Sequence, residues 1–199
     1  MSSVLKAQLP IADLLLWAKE PDDEPTQVFA SVILSVCRGA IDPPGFCLGL
    51  DRAAFTDLLE QYFSAVGDAL SDVLDARVCP ERVDEFNDLL ALILEHRNDD
   101  SQQTKWLAYA LASGCTGNDR LYVDMGFSDR SVLSSLLEKH FTALYRKNIG
   151  GAMKWKKFFY KQLCVRSDLQ LCPAPSCQVC HEYPICFSPE TQDGGTQAD

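Results

Sequence analysis

Two stretches decide the fold: Thr26-Gln-Val-Phe-Ala-Ser-Val-Ile-Leu-Ser-Val-Cys-Arg-Gly39 and, 78 residues on, Thr104-Lys-Trp-Leu-Ala-Tyr-Ala-Leu-Ala-Ser-Gly-Cys-Thr-Gly117. In the first, Val28, Phe29, Val32, Ile33 and Val36 recur at the 3.6-residue period of an amphipathic helix, with Thr26 as its expected cap and Gly39 ending it. Sliding the chain by 78 residues lays Thr26, Ala30, Ser35, Cys37 and Gly39 on Thr104, Ala108, Ser113, Cys115 and Gly117. The same offset lays Asp51, Arg52, Leu58, Leu59, Glu60 and Phe63 on Asp129, Arg130, Leu136, Leu137, Glu138 and Phe141. With a one-residue shift, Leu48-Gly-Leu50 meets Met125-Gly-Phe127. A duplicated helix–loop–helix unit explains these matches; chance similarity of two amphipathic helix pairs is the competing explanation.

Other segments extend the pattern. A short amphipathic piece spans residues 11 to 19, ahead of a loop from Pro21 to Pro25. Asp51 is the expected N-cap of a helix whose face carries Phe55, Leu58, Leu59, Tyr62 and Phe63. Glu81 to Arg97 places Phe86, Leu89, Leu90, Ile93 and Leu94 on one face, and Ser128 to Lys147 reads as one further helix. His96 and His140 are expected to face solvent. The fold class is therefore all-α: a multi-helix body over residues 1–149, packed antiparallel or nearly so.

Gly150-Gly151 marks a joint, and residues 150–190 read as a lysine/aromatic helix followed by an irregular cysteine loop. In Met153 to Cys164, Trp155, Phe158, Phe159 and Leu163 share a side opposite Lys154, Lys157 and Lys161. Residues 191–199 have nothing to bury and are expected to be a disordered tail. The loop holds Cys172, Cys177, Cys180 and Cys186 in the spacing C-x4-C-x2-C-x5-C, with Pro173, Pro175 and Pro184 expected to keep it out of a helix.

Nine cysteines in a chain without an export signal point to a cytoplasmic, reduced protein that uses thiols for metal and for core packing. Thiolates favour iron–sulfur clusters, zinc or copper(I). The compact serial run is closer to ferredoxin-type iron–sulfur spacing than to the two separated pairs of a zinc site, though zinc stays open. Cys164 and His181 are additional candidate ligands, while Cys37, Cys47, Cys79 and Cys115 read as core. No hydrolase, metalloprotease, phosphate-loop or dinucleotide motif occurs, so nothing marks a hydrolytic or hydride-transfer site and no enzyme is expected. A zinc-stapled interaction module and an iron–sulfur redox protein are the alternatives.

The net charge of −10 argues against nucleic-acid binding, and no apolar run is long enough to span a membrane. The charge is uneven: Lys139 to Arg166 holds eight Lys/Arg and no acid, leaving ten basic and 28 acidic residues elsewhere. Lys154, Lys156, Lys157 and Lys161 are thus candidate electrostatic or docking residues beside an anionic cluster.

The stretch from Met153-Lys-Trp-Lys-Lys-Phe-Phe-Tyr-Lys-Gln-Leu-Cys164 through the four loop cysteines to Cys186-Phe-Ser-Pro-Glu190 resembles the NifQ family of nitrogen-fixation proteins, and C-x4-C-x2-C-x5-C is that family's signature. Weaker likeness reaches back through residues 121–127, Leu136-Leu137 and Leu48-Gly-Leu50. The resemblance implies a molybdenum donor for assembly of the nitrogenase iron–molybdenum cofactor. It also implies a molybdenum–iron–sulfur cluster, or a 4Fe-4S precursor, held by the loop cysteines. Molybdate or another molybdenum source and the cofactor-assembly proteins would be the partners. Arg120 and Tyr122 depart from the family's His-Leu-Trp-type motif, which puts any metal-handling role of that histidine in doubt here.

Overall fold

The computed structural model describes residues 11–41, 46–63, 84–149, 152–166 and 183–187. Within these it is built from ten α-helices and one 3-10 turn, with no β-strand beyond an isolated bridge between Ala18 and Phe63. Among the described residues no helix is long and apolar enough to cross a membrane.

The 78-residue offset recurs where two helices begin, at Glu24 and Gln102, and at both ends of two others, Arg52–Tyr62 and Arg130–His140. Helix α1 (Ile11–Leu16) precedes α2 (Glu24–Arg38), the 3-10 turn Phe46–Gly49 and α3 (Arg52–Tyr62). Helix α4 (Asp84–Glu95) precedes α5 (Gln102–Cys115), α6 (Leu121–Asp124) and α7 (Arg130–His140) in the same order. The caps repeat too. Asp23 and Ser101 cap α2 and α5, and Asp51 and Asp129 cap α3 and α7. Phe63 and Phe141 end α3 and α7, each donating its N–H to a leucine carbonyl four residues back. Gly49 and Gly126 both adopt positive φ, at 69° and 75°. The two halves therefore share element order and cap positions.

Several boundaries differ from the sequence reading. Asp23, not Thr26, caps α2: its carboxylate accepts from the Thr26 N–H, and Pro25 fits in the first turn where its missing N–H costs nothing. Asp129, not Ser128, caps α7. The expected helix to Lys147 breaks at Phe141 and resumes as α8 (Thr142–Lys147). Asn98 accounts for the break. Its side chain donates to the Lys139 carbonyl at 2.7 Å and accepts from the Thr142 N–H at 3.1 Å, satisfying the backbone groups that the kink releases. His140 is buried rather than solvent-facing, at 6 % exposure.

One continuous core joins both units. Phe29, Leu58, Phe86, Leu89, Ile93, Leu107, Leu111, Leu136, Leu137 and Phe141 are nearly inaccessible. Tyr62 packs its ring 4.8 Å from Phe29 and 6.1 Å from Trp106, stitching the first unit to the second. Cys47 and Cys115 are buried as expected and Cys37 half-buried; Cys79 lies outside the described residues.

Candidate metal centre

The lysine/aromatic helix, α9 (Trp155–Arg166), turns Trp155, Phe158 and Phe159 into the same core. Trp155 stacks on Tyr145 and packs edge-on to Phe158. Three rings on one side orient this helix, and its polar residues then tie it to the second unit. Tyr160 donates its hydroxyl to Glu85 and Arg166 donates to Glu95 at 2.9 Å.

Lys156 behaves differently from the outward-facing docking residue expected. Its ammonium is mostly buried, donating to the Gly117 carbonyl at 2.8 Å and forming an ion pair with Asp124. Asp124, only 3 % exposed, also accepts from the Asp119 N–H at 3.1 Å. Burial pushes its carboxyl above the usual range, and the Lys156 charge opposes that rise. Position 117 must be glycine for a spatial reason: a Cβ there would come within 2.4 Å of the Asp124 carboxylate. Beside this pair the Cys115 thiol is pushed up to about 12 by burial, which keeps it protonated and unreactive.

The basic neck elsewhere also has partners in the body. Lys139 pairs with Glu24, and Lys147 lies 2.7 Å from His96 Nε2. Of the other candidate docking lysines, Lys157 is exposed, while Lys154 and Lys161 are half-buried.

Of the predicted ligands, Cys172, Cys177, Cys180 and His181 lie outside the described residues. Cys186 falls in a five-residue helix, α10 (Tyr183–Phe187), contrary to the expectation that proline keeps this end of the loop non-helical. Pro184 sits in the first turn, where it is tolerated. The Cys186 carbonyl accepts from the Lys154 N–H at 3.0 Å, so the last loop cysteine is anchored at the N-terminal end of α9. Cys164 lies near the opposite end, nine residues or roughly 14 Å of helical rise beyond Trp155. This separates it from Cys186 and favours its packing role. Among the described residues, no three His, Cys, Asp or Glu side chains converge to hold a metal.

The cysteine spacing is legible in the sequence; Asp124, Asn148 and Arg130 carry no comparable mark. One signal does exist: an acid-free run of eight cations implies carboxylate partners elsewhere, and Asp124 is an acid embedded in an apolar stretch. The two departures noted at the His-Leu-Trp-type motif touch each other, Arg120 Nη1 donating to the Tyr122 hydroxyl at 3.3 Å.

The NifQ family model matches residues 28–188, a span that includes most of the first repeat, all of the second, α9 and the whole cysteine loop. Protein NifQ of Azotobacter vinelandii is 36% identical over 155 residues, covering 73% of this chain and 79% of that protein. Protein NifQ of Rhodobacter capsulatus is 32% identical over 157 residues, covering 79% and 84%. Protein NifQ homolog of Sinorhizobium fredii is 34% identical over 142 residues, covering 70% and 60%. No solved structure matches the chain. With its family-wide match and two relatives above 30% identity over most of both lengths, the chain belongs to the NifQ family of accessory nitrogen-fixation proteins.

Proposed function

We propose that the chain is a carrier for a molybdenum–iron–sulfur cluster and donates molybdenum to assembly of the nitrogenase iron–molybdenum cofactor. The observation that carries this reading is the C-x4-C-x2-C-x5-C run lying inside the matched family span. Four thiolates in one short segment form a soft donor set that suits iron–sulfur corners. Cys172, Cys177, Cys180 and Cys186 hold the cargo, and molybdenum, which takes more ligands than iron, keeps exchangeable positions for handover. The chain's own contribution is electrostatic and positional. The N-terminal end of α9 presents the positive end of its dipole beside Cys186, and Lys154 and Lys157 add positive charge next to an anionic cargo.

Anaerobically purified protein should be brown and contain iron, sulfide and molybdenum; a colourless protein with one zinc per chain overturns the reading. Cys177→Ala should abolish molybdenum delivery to a cofactor-assembly mixture while the helical circular-dichroism signal survives. Joint loss of both would assign the metal a structural role instead.

A further inference from the structure

Between α8 and α9 the chain makes a joint whose fixed point is a side chain. Asn148 is buried, at 4 % exposure, and its carboxamide closes a ring with one residue: Nδ2 donates to the Met153 carbonyl and Oδ1 accepts from the Met153 N–H, both at 2.9 Å. Arg130 donates to the same carbonyl at 2.9 Å from α7. Two residues past Met153's neighbour Lys154, the Lys156 ammonium is anchored on Gly117 and Asp124. The backbone of residues 153–156 is thus held on both sides by the second unit. The group between the two anchors is the Lys154 N–H, which donates to the Cys186 carbonyl.

The joint is also strained. Ile149 adopts φ 48°, a left-handed conformation unfavourable for a β-branched residue, and its side chain is 84 % exposed. Exposure returns no burial energy to offset that strain, so the surrounding bonds must impose it. The Asn148 ring supplies them, and both a donor and an acceptor are needed in one short side chain. Aspartate lacks the donor and glutamine is one methylene too long.

We infer that Asn148 is the positioning residue for Cys186, the last thiol of the cysteine loop: by locking Met153 it aims the Lys154 N–H that fixes where Cys186 stands. This rests on the carrier reading for its purpose, but the placement itself is testable without any cluster.

The test uses the full chain. In metal-free, reduced protein, iodoacetamide alkylation is followed peptide by peptide for Asn148→Ala and Asn148→Asp. Cys186 should react about five-fold faster or more, the scale that one lost net hydrogen bond supports, with Cys164 unchanged. In anaerobically purified protein the same variants should retain iron on the other three loop cysteines but change the electron paramagnetic resonance line shape. An unchanged Cys186 rate in Asn148→Asp overturns the inference, whatever happens to the melting temperature. If acceleration in Asn148→Ala extends to buried Cys115, that variant has opened globally, and Asn148→Asp, which keeps one of the two bonds, decides. Absence of cluster from the wild-type protein defeats the carrier reading alone; the alkylation rates still decide the positioning role.

Discussion

The two repeats, residues 11–63 and 84–141, have the same helix order and equivalent caps, yet α9 is fastened by residues of the second. Glu85, Glu95, Gly117, Asp124 and Arg130 all reach α9 or the joint before it. At the 78-residue offset Glu95 corresponds to Trp17, and at the one-residue shift that pairs Gly49 with Gly126, Asp124 corresponds to Cys47, so the first unit has no carboxylate at either position. The two repeats are similar scaffolds, and a few acids make the second a socket for α9. What marks the half that holds α9 is where the repeats diverge, not what they share.

The sharpest way to break this comparison is to remove one member of the buried pair. Asp124 and Lys156 are 4% and 17% exposed at their side chains, so Lys156→Ala strands a carboxylate in the protein interior. A loss of about 3 kcal/mol or more in urea unfolding is expected. Lys139→Ala, which breaks the pair with Glu24 at 59% and 33% exposure, should cost less than about 1 kcal/mol. Equal losses in the two variants would show that α9 is not anchored through Asp124.

A second test uses two glycines at the same repeat position that are kept for different reasons. Gly39 ends α2 at φ 77°, and a Cβ added there would meet nothing within 4 Å, so Gly39→Ala faces only backbone strain of about 1 kcal/mol. Gly117 shows no such φ but has the Asp124 carboxylate against it. Gly117→Ala must displace Asp124 from Lys156 and should cost about 1–3 kcal/mol, as overpacking does. It should also raise the Cys186 alkylation rate, since the same anchor steadies residues 153–156. Gly39→Ala should leave that rate unchanged. The reverse order would refute the assignment.

The helical body is legible because its faces repeat at 3.6 residues and its caps are chemically explicit: Phe55, Leu58, Leu59 and Tyr62 are buried as their spacing requires, behind an Asp51 cap that accepts from Ala54. The break at Phe141 is not legible, since the residue that satisfies it, Asn98, lies more than forty positions away. Lys156 escapes a sequence reading for a related reason. A lysine beside other lysines looks like part of a solvated face until a distant acid is folded against it. The four cysteines are evident from spacing, but only the fold ties Cys186 to the start of α9 through Lys154.

The smallest effect concerns the equivalent residues Tyr62 and His140, and it is confined to acid pH. Both give their backbone carbonyl to the segment ahead of the long helix of their own unit, α2 or α5, accepting from the Lys19 and Asn98 N–H groups at 2.9 Å. Their side chains differ in titration. Burial holds the His140 imidazole below its ordinary value of 6.5; Glu24, 4.0 Å from Nε2, and Asp99 oppose that shift, while Lys139 reinforces it. As pH falls below about 6.5 the unfolded chain gains a proton at this site that the folded chain resists, so unfolding is favoured progressively until the folded imidazole also protonates. Above 6.5 both forms are neutral and the contribution is flat. His140→Tyr, which installs the first unit's residue in the second, should remove this part of the decline in the urea midpoint between about pH 7.5 and 5.5. A variant that declines as steeply as the parent would mean that other groups set the acid sensitivity, and that the two positions differ in side chain without differing in consequence.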